Sequence, residues 1–486
     1  MSLQALYWRL PVALQHAAVS ARGYRLRRLR HTRHTRETLA RLLESERWPA
    51  ARLEAHQAEA LARLVGHARR HSPYYAERYR ALGLDERSIR GLGDLARLPV
   101  VAKEELRREN DRFVSTHLPR RAMWPAATSG TTGTPIAAYH THEAMQERVA
   151  FLARLAAWYG LGERPRRASF TGKLVVDPDS TRPPFHRTNW ALRQQLYSSH
   201  HLRAELLGSY VDELAAFGPE LVDGIASPIY AVADHLLRSG RRGEVAPALV
   251  MPTSETLWPH VRERIEAAFA APVANQYGSQ EGAPIAYECP LGGFHVCSES
   301  GIFEVLRPDG APCPPGELGR LVVTSFLSYG MPLIRYDIGD TAAWRAGACP
   351  CGRELPLLAG IEGRIDDMFF TSERGVVPRL DSAFKSLPAT IVASQVAQVD
   401  LDRFELRIVP DPESFRAEHA DTLVENLHDY LGRSVRIEVA LVSELPRSAG
   451  GKLRAMVNEC DRSEVRDPIA RGWNAAQGAA AGAGDA

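Results

Sequence analysis

Between about residues 120 and 345, short runs with β-strand character alternate with helical runs. The β-like runs include residues 246–251, 301–306 and 320–324, and the helical runs include residues 205–216 and 258–269. This alternation predicts an α/β architecture in which helices cover the sheets. A chain of 486 residues is also too long for one ordinary core, so we expect more than one domain.

The flanking segments differ from this central part. Residues 36–95 read as helices because apolar side chains recur at helical spacing. Residues 367–460 read as a smaller α+β unit, with strands at 396–399, 404–409 and 435–442 and a helix at 421–431. We therefore predict a helical N-terminal region of a large domain (1–95), the core of that domain (96–365), a small C-terminal domain (366–465) and a disordered tail (466–486).

Charge and hydropathy exclude several classes of protein. The net charge of +2 argues against a nucleic-acid binder. The first 50 residues hold ten Arg against three Glu, which fits contact with an anionic membrane surface or a partner, or a helical face packed on its own domain. We favour the packed face. The chain lacks an apolar run of about 18 residues and a secretory signal, so we expect a cytoplasmic protein.

Residues 128–135 read Thr-Ser-Gly-Thr-Thr-Gly-Thr-Pro. Glycine lets a backbone approach a ligand closely and hydroxyls add hydrogen-bond donors, so the segment suits phosphate. It is not a Walker loop, because no Gly-Lys-Ser/Thr ends it and residues 136–140 read as a strand. Taken alone, it fits a polar hairpin without a ligand equally well. The phosphate-binding candidates are Thr128, Ser129, Gly130, Thr131, Thr132 and Gly133.

Four further motifs follow in order: residues 276–282 (QYGSQEG), 335–340 (RYDIGD), 363–367 (GRIDD) and 446–452 (PRSAGGK). Together with the loop at 128–135 they resemble the adenylate-forming superfamily of acyl-CoA synthetases, adenylation domains and luciferases. Within it the chain looks most like the phenylacetate-CoA ligase family, in particular members found in polysaccharide synthesis. The resemblance covers roughly residues 50–460.

The resemblance implies roles for the second motif. Tyr277 would stack on adenine, and Glu281 would help to hold Mg²⁺, for which a carboxylate is a suitable ligand. Gln280 stands where the family usually has Ser or Thr, which puts its contact to the α-phosphate in doubt. The further ATP-binding candidates are Gly278 and Ser279. Ser254 and Glu255 precede the motif by about the distance usual in the family, so the resemblance implies that they line the adenine pocket.

The later motifs supply the rest of the implied site. Asp340 would accept hydrogen bonds from both ribose hydroxyls, and Arg364 would contact ribose or phosphate. Asp366 would mark the hinge between the domains, and Lys452 would reach the reacting phosphate from the C-terminal domain. Of the 60 lysines and arginines only four are lysines, and one of these is Lys452. A site that needs a compact ammonium is therefore easy to notice.

These roles imply a ligase that uses ATP and Mg²⁺ to convert a carboxylic acid into an acyl-adenylate and passes the acyl group to coenzyme A. An amine, a glycan hydroxyl or a carrier-protein thiol are alternative acceptors. The alternative that is not an enzyme is a nucleotide-binding interaction protein with a structural zinc ion. The resemblance suggests an aryl or medium acyl acid. Side chains that could line its pocket, each more often simple packing, are Trp190, Tyr197, His200, His201, Tyr230 and Gln276.

Cysteine spacing predicts a metal site. Cys349 and Cys351 are separated by one residue and followed by Gly352, a tight turn that suits two thiolates on one ion. With Cys289 and His295 they make a Cys₃His set, typical of structural zinc. Free thiols with a buried histidine are the alternative, and Cys297 could replace one ligand.

Overall fold

The structure is a computed structural model. It describes residues 3–127, 136–177, 179–199, 201–202, 204–255, 257, 259–364, 369–371, 373, 375–377, 380, 390–446, 453 and 455–460. The predicted phosphate-binding residues 128–133, His200, the hinge residue Asp366, Lys452 and the tail at 466–486 lie outside this part.

The chain begins with helices, as the apolar spacing predicts. Leu61, Leu64, Val65 and Ala68 are completely buried in the core that these helices share with the large sheet. Pro73 starts its helix at the first position, where a missing N–H costs nothing. The helices are α1 (Leu3–Trp8), α2 (Val12–Arg30), α3 (Arg33–Ser45), α4 (Ala50–His71), α5 (Pro73–Ala81), α6 (Lys103–Arg108) and α7 (Asn110–Phe113).

The basic N-terminal helix α2 packs on its own domain. Ser20 Oγ donates to the backbone oxygen of Thr188 at 3.2 Å and accepts from the backbone N–H of Trp190 at 3.1 Å. Gly23 lies so close to Asn189 that a β-carbon there would be 2.0 Å from its side-chain oxygen. These contacts support the interpretation of a packed helical face. Throughout the described residues, each helix is too short or too polar to cross a membrane.

A hairpin of β1 (Trp124–Ala127) and β2 (Ala137–His140) flanks the predicted phosphate loop. It precedes a five-stranded sheet in the order β4-β5-β3-β6-β7, parallel except for the edge strand β4. The strands are β3 (Arg167–Thr171), β4 (His186–Asn189), β5 (Gln194–Ser198), β6 (Leu221–Ile225) and β7 (Leu249–Thr253). The helices are α8 (His142–Trp158), α9 (Leu207–Phe217), α10 (Ala226–Arg238) and α11 (Pro259–Phe269). The α/β prediction is confirmed, although β7 begins three residues later than the run at 246–251.

An antiparallel sheet of seven strands follows, in the order β11-β12-β13-β14-β10-β9-β8. Its register shifts within β12 and beside Asp340 in β13, as at β-bulges. The strands are β8 (Gln276–Tyr277), β9 (Ala286–Glu288), β10 (Phe294–Val296), β11 (Gly301–Leu306), β12 (Gly319–Ser325), β13 (Tyr336–Trp344) and β14 (Leu357–Arg364). The predicted strand at 301–306 is reproduced without change.

The C-terminal domain is α+β, as predicted. A four-stranded sheet in the order β19-β18-β17-β20 packs against α12 through a core that includes Phe404, Leu406 and Leu427. Helix α12 begins four residues before the predicted helix, where Arg416 N–H bonds the His419 ring at 3.0 Å. The elements are β15 (Phe369–Thr371), β16 (Gly375–Val377), β17 (Ile391–Asp400), β18 (Arg403–Pro410), α12 (Ala417–Leu431), β19 (Arg436–Leu441) and β20 (Met456–Asn458).

Candidate functional site

The second and third motifs meet in space. Tyr277 lies in the edge strand β8 and Asp340 lies in β13, yet the Tyr277 hydroxyl donates to Asp340 Oδ2 at 2.6 Å. Burial, followed by the charge and the hydrogen bond of Asp340, raises the pKa of Tyr277 well above its ordinary value. The tyrosine therefore stays a hydrogen-bond donor at neutral pH, which fixes the orientation of its ring and of the carboxylate.

The fourth motif joins this pair through strand register. Asp340 of β13 stands opposite Arg364 of β14, and the register shifts immediately after Asp340. Such irregularities bend a strand and redirect its side chains, and they occur often beside functional sites. The backbone thus brings the predicted ribose-binding and phosphate-binding positions to the same place.

Glu281 adds a second carboxylate to the site. Its residue is only 5% exposed. The charges of Glu281 and Asp340 both contribute to raising the pKa of the buried Tyr336 hydroxyl, after burial itself. A buried carboxylate favours a cation beside it, and a hard oxygen-seeking ion such as Mg²⁺ suits the Glu281 oxygens.

A network of hydrogen bonds holds the turn that carries Glu281. The carbonyl oxygen of Gly282 accepts from Ser325 Oγ at 2.5 Å and from Ser328 Oγ at 3.1 Å. Gly282 has φ +106°, and a β-carbon there would lie 2.6 Å from Ser328 Oγ. Ser279 Oγ accepts from the backbone N–H of Ala283 at 3.2 Å. Only glycine satisfies both demands at position 282, so the turn is rigid around Glu281.

His140 connects this turn to the phosphate hairpin and was not predicted from the sequence. It ends β2, and its Nε2 lies 3.0 Å from the carbonyl oxygen of Gln280. Burial, and then the nearby Arg148, lowers the pKa of His140 to about 4. The ring is therefore neutral at pH 7 and donates through Nε2–H to Gln280. A single histidine after a strand is too common to have been noticed in the sequence.

Ser254 and Glu255 follow β7, at the carboxyl edge of the parallel sheet. Ser254 is exposed with φ 73°, which turns the chain. The Glu255 carboxylate accepts from the backbone N–H of Ser227 at 2.7 Å and from the backbone N–H of Leu453 at 2.8 Å. The residue after Lys452 therefore lies against the predicted adenine-pocket segment.

The four predicted metal ligands come together. Their donor atoms all lie within 4.8 Å of one another. Cys289 Sγ is 3.7 Å from Cys349 Sγ, and Cys351 Sγ is 3.3 Å from His295 Nε2. Two sulfurs on one tetrahedral zinc ion are about 3.8 Å apart, so the spacing fits.

The surroundings of this cluster suit metal ligation. His295 Nδ1 lies 3.1 Å from the carbonyl oxygen of Leu355, which directs Nε2 toward the thiols. Burial, above all, lowers the pKa of His295 to about 4, so the ring is neutral, as a ligand must be. A β-carbon at Gly293 would lie 2.5 Å from Cys349 Sγ. Cys297 is not part of the group among the described residues; its thiol lies near Arg154 instead.

The candidate pocket residues mostly serve packing. Tyr197 is buried and stacks on Phe170 with ring centroids 5.2 Å apart. His201 bonds Ser198 Oγ at 2.7 Å, and Trp190 is 61% exposed. These contacts support the packing interpretation for Tyr197 and His201.

The chain is similar in sequence to proteins of two kinds. Residues 369–459 match the family model described as the CapK C-terminal domain. The chain is 26% identical over 466 residues to Protein CapK of Staphylococcus aureus, covering 94% of this chain and 99% of that one. It is 26% identical over 464 residues to a phenylacetate-coenzyme A ligase of Thermus thermophilus, covering 85% and 98%.

A solved structure shares the fold. The 2-hydroxyisobutyryl-CoA ligase in the postadenylation state superposes with a TM-score of 0.69 at 21% identity, covering 88% of this chain and 94% of that one. The predicted fold class and the family resemblance drawn from the motifs are therefore confirmed.

We expect His140 to make the protein acid-sensitive. Its pKa is about 4 in the folded protein against an ordinary 6.5. As the pH falls, the unfolded chain therefore binds a proton at this histidine before the folded protein does. The stability that the neutral His140 contributes is complete above pH 6.5 and is lost as the pH falls toward 4. The loss amounts to about 3 kcal/mol. The free energy of unfolding, measured with denaturant at pH 7.5 and pH 5, should fall less in His140→Gln than in the unmodified protein. An equal fall in both proteins would contradict this.

Proposed function

We propose that the chain activates a carboxylic acid with ATP and Mg²⁺ to form an acyl-adenylate, and then transfers the acyl group to the thiol of coenzyme A. The hydrogen bond between Tyr277 and Asp340, beside the buried Glu281, is the observation that carries this proposal. The named ligases among the similar proteins support an AMP-forming acid–thiol ligase.

In the first half-reaction the substrate carboxylate attacks the α-phosphorus, and pyrophosphate leaves. Glu281 would hold Mg²⁺, which would supply positive charge to offset the charge on the phosphate oxygens. Tyr277 stacks on adenine while its hydroxyl stays on Asp340, which receives the ribose. Positioning and electrostatic stabilisation supply most of the acceleration in such phosphoryl transfers. The remaining nucleotide contacts are assigned to Gly278, Ser279, Gln280, Ser254, Arg364 and the segment 128–133.

Lys452 supplies the positive charge that opposes the charge developing on the phosphate. The hydrogen bond from the Leu453 N–H to Glu255 holds Leu453, the residue that follows Lys452 in the chain, against the segment after β7, which supports this assignment. We assign the hinge to Asp366, between the core (96–365) and the C-terminal domain (366–465).

In the second half-reaction the coenzyme A thiolate attacks the acyl carbon, the bond to AMP breaks and AMP leaves with the electron pair. The acid is an aryl or medium acyl acid in this proposal, and the protein is cytoplasmic.

A trapping assay tests both half-reactions. With ATP, Mg²⁺ and a panel of carboxylic acids, we expect hydroxylamine to yield a hydroxamate and coenzyme A to yield a thioester with release of AMP. A hydroxamate without a thioester would move the acceptor to an amine, a glycan hydroxyl or a carrier thiol. Neither product with any acid would favour the non-catalytic nucleotide-binding alternative.

Replacing Lys452 should affect the chemistry rather than ATP binding. Loss of one charge contact to a developing oxyanion costs about 3–4 kcal/mol, or 10² to 10³ in rate. We expect Lys452→Ala to slow ATP–pyrophosphate exchange by this factor with a nearly unchanged Kd for ATP. Lys173→Ala is the control, because Lys173 is an exposed lysine outside the five motifs. Unchanged exchange in Lys452→Ala would refute the role.

We further propose that Cys289, His295, Cys349 and Cys351 hold one structural zinc ion. The donor set occupies all four positions of a tetrahedral ion, so it leaves no open site for catalysis. The cluster joins the β9–β10 turn to the β13–β14 connection. Arg353, two residues after Cys351, forms an ion pair with the buried Glu46 at 3.1 Å, which ties the same loop to the end of α3.

Metal analysis of the purified protein should find about one equivalent of zinc. Cys349→Ser should reduce it below half an equivalent and lower the thermal stability, because one thiolate ligand is gone. Gly293→Ala should have a similar effect without removing a ligand, since its β-carbon would lie 2.8 Å from His295 Nε2. Cys313→Ser, a buried cysteine outside the group, is the control and should keep the metal. A metal-free unmodified protein would rule the site out.

A further inference from the structure

Both ends of helix α10 are linked to the C-terminal part of the chain, the first through Glu255 and the second directly. At the N-terminal end, Glu255 Oε2 accepts from the Ser227 N–H at 2.7 Å, and Oε1 accepts from Ser227 Oγ at 3.0 Å. The same Oε1 accepts from the Leu453 N–H at 2.8 Å. The first turn of a helix leaves backbone N–H groups without partners, so a carboxylate is stabilised there.

At the other end of α10, its last residue, Arg238, forms an ion pair with Asp411, which follows β18. Asp411 is held rigidly, because its Oδ1 accepts from the Ser414 N–H at 2.9 Å and from Ser414 Oγ at 2.6 Å. Arg238 is likewise fixed by Asp234, at 2.7 Å. Asp411 therefore uses its two oxygens separately: Oδ1 accepts from its own turn, and Oδ2 accepts from Arg238.

Two contacts separated along one helix restrict the orientation of a domain more than a single contact does. The 13 residues of α10 span about 20 Å. The first contact is made by Leu453, the residue that follows Lys452 in the chain, and the second by Asp411, which follows β18. Together they fasten the C-terminal part of the chain to the large domain at two separated points.

We propose that Glu255 and the Arg238–Asp411 pair are positioning residues that dock the C-terminal domain on α10 for adenylation. They act through Lys452 and not on the reacting atoms. This inference rests on the proposed adenylation, and it adds the residues that select the adenylating arrangement of the two domains.

The Asp411→Asn variant is a specific probe. Asparagine keeps the Oδ1 bonds to the turn at 413–414 and replaces the oxygen that faces Arg238 with an amide NH₂. Partly exposed ion pairs are weak, so we expect about a threefold fall in kcat for pyrophosphate exchange, with an unchanged KM for ATP. Transfer from preformed acyl-adenylate to coenzyme A should keep its rate. Glu255→Gln should slow pyrophosphate exchange by about tenfold, because the side-chain NH₂ of glutamine would face a hydrogen-bond donor that the glutamate oxygen accepts from.

The controls separate docking from general damage. Arg241→Gln breaks ion pairs to Asp212 and Glu244, both within the large domain, and should leave both half-reactions unchanged. Equal losses in both half-reactions, or full pyrophosphate-exchange activity in Asp411→Asn, would overturn the proposal.

Hydrogen exchange tests the docking without any catalysis. We expect deuterium uptake in a peptide that contains Leu453 to be faster in Asp411→Asn and Glu255→Gln than in the unmodified protein and Arg241→Gln. If the unmodified protein forms no acyl-adenylate but these uptake differences appear, the proposed activity fails and the docking stands. Identical uptake in all four proteins would overturn the docking.

Discussion

The curvature of the seven-stranded sheet is the constraint on which the site depends. Tyr277 in β8 and Asp340 in β13 are four strands apart in the hydrogen-bonded order, which in a flat sheet is about 19 Å. Their side chains nevertheless meet at 2.6 Å. The sheet must therefore curl until its edge strand faces its interior. The register shifts in β12 and beside Asp340 are the kind of irregularity that introduces such bending.

The β13–β14 hairpin links the four predicted metal ligands to the residues proposed to bind the nucleotide. Strands β13 and β14 bring Asp340 opposite Arg364 at one end, and the chain between these strands carries Cys349 and Cys351 at the other. Cys289 and His295 belong to the neighbouring β9–β10 hairpin. An ion held by all four side chains would lock these two hairpins together. It would thereby stabilise the curved part of the sheet rather than take part in the reaction.

Sequence reasoning succeeded where chemistry is encoded in local patterns. The Cys-x-Cys turn and the nearby Cys and His predicted a group of four ligands, and the structure brings those four together. The alternation of strands and helices predicted the α/β class, because it depends on periodicity alone. The contact of Tyr277 with Asp340 could only be suspected from motif order, since it depends on how strongly the sheet curls.

Other site residues could not be found from the sequence because their roles depend on tertiary contacts. His140 is an ordinary histidine until its ring meets the Gln280 carbonyl oxygen. Glu255 was placed in the adenine pocket by its distance along the chain, but its bond to Leu453 spans 198 residues. Element boundaries also shifted, as at α12, because caps such as the Arg416 and His419 pair depend on local hydrogen bonds rather than on hydrophobic spacing.

The partners of the docking residues explain how such a contact can hold a domain and still release it. If Leu453 leaves, Glu255 keeps both of its bonds to Ser227. If Asp411 leaves, Arg238 keeps Asp234, and Asp411 keeps Ser414. No charge is left buried without a partner, so release avoids the 3–5 kcal/mol that breaking an isolated buried pair would cost. The cost is instead that of one ordinary hydrogen bond and one partly exposed ion pair, about 1–2 kcal/mol together. An interaction of that size favours one domain arrangement by roughly tenfold and remains easily reversible.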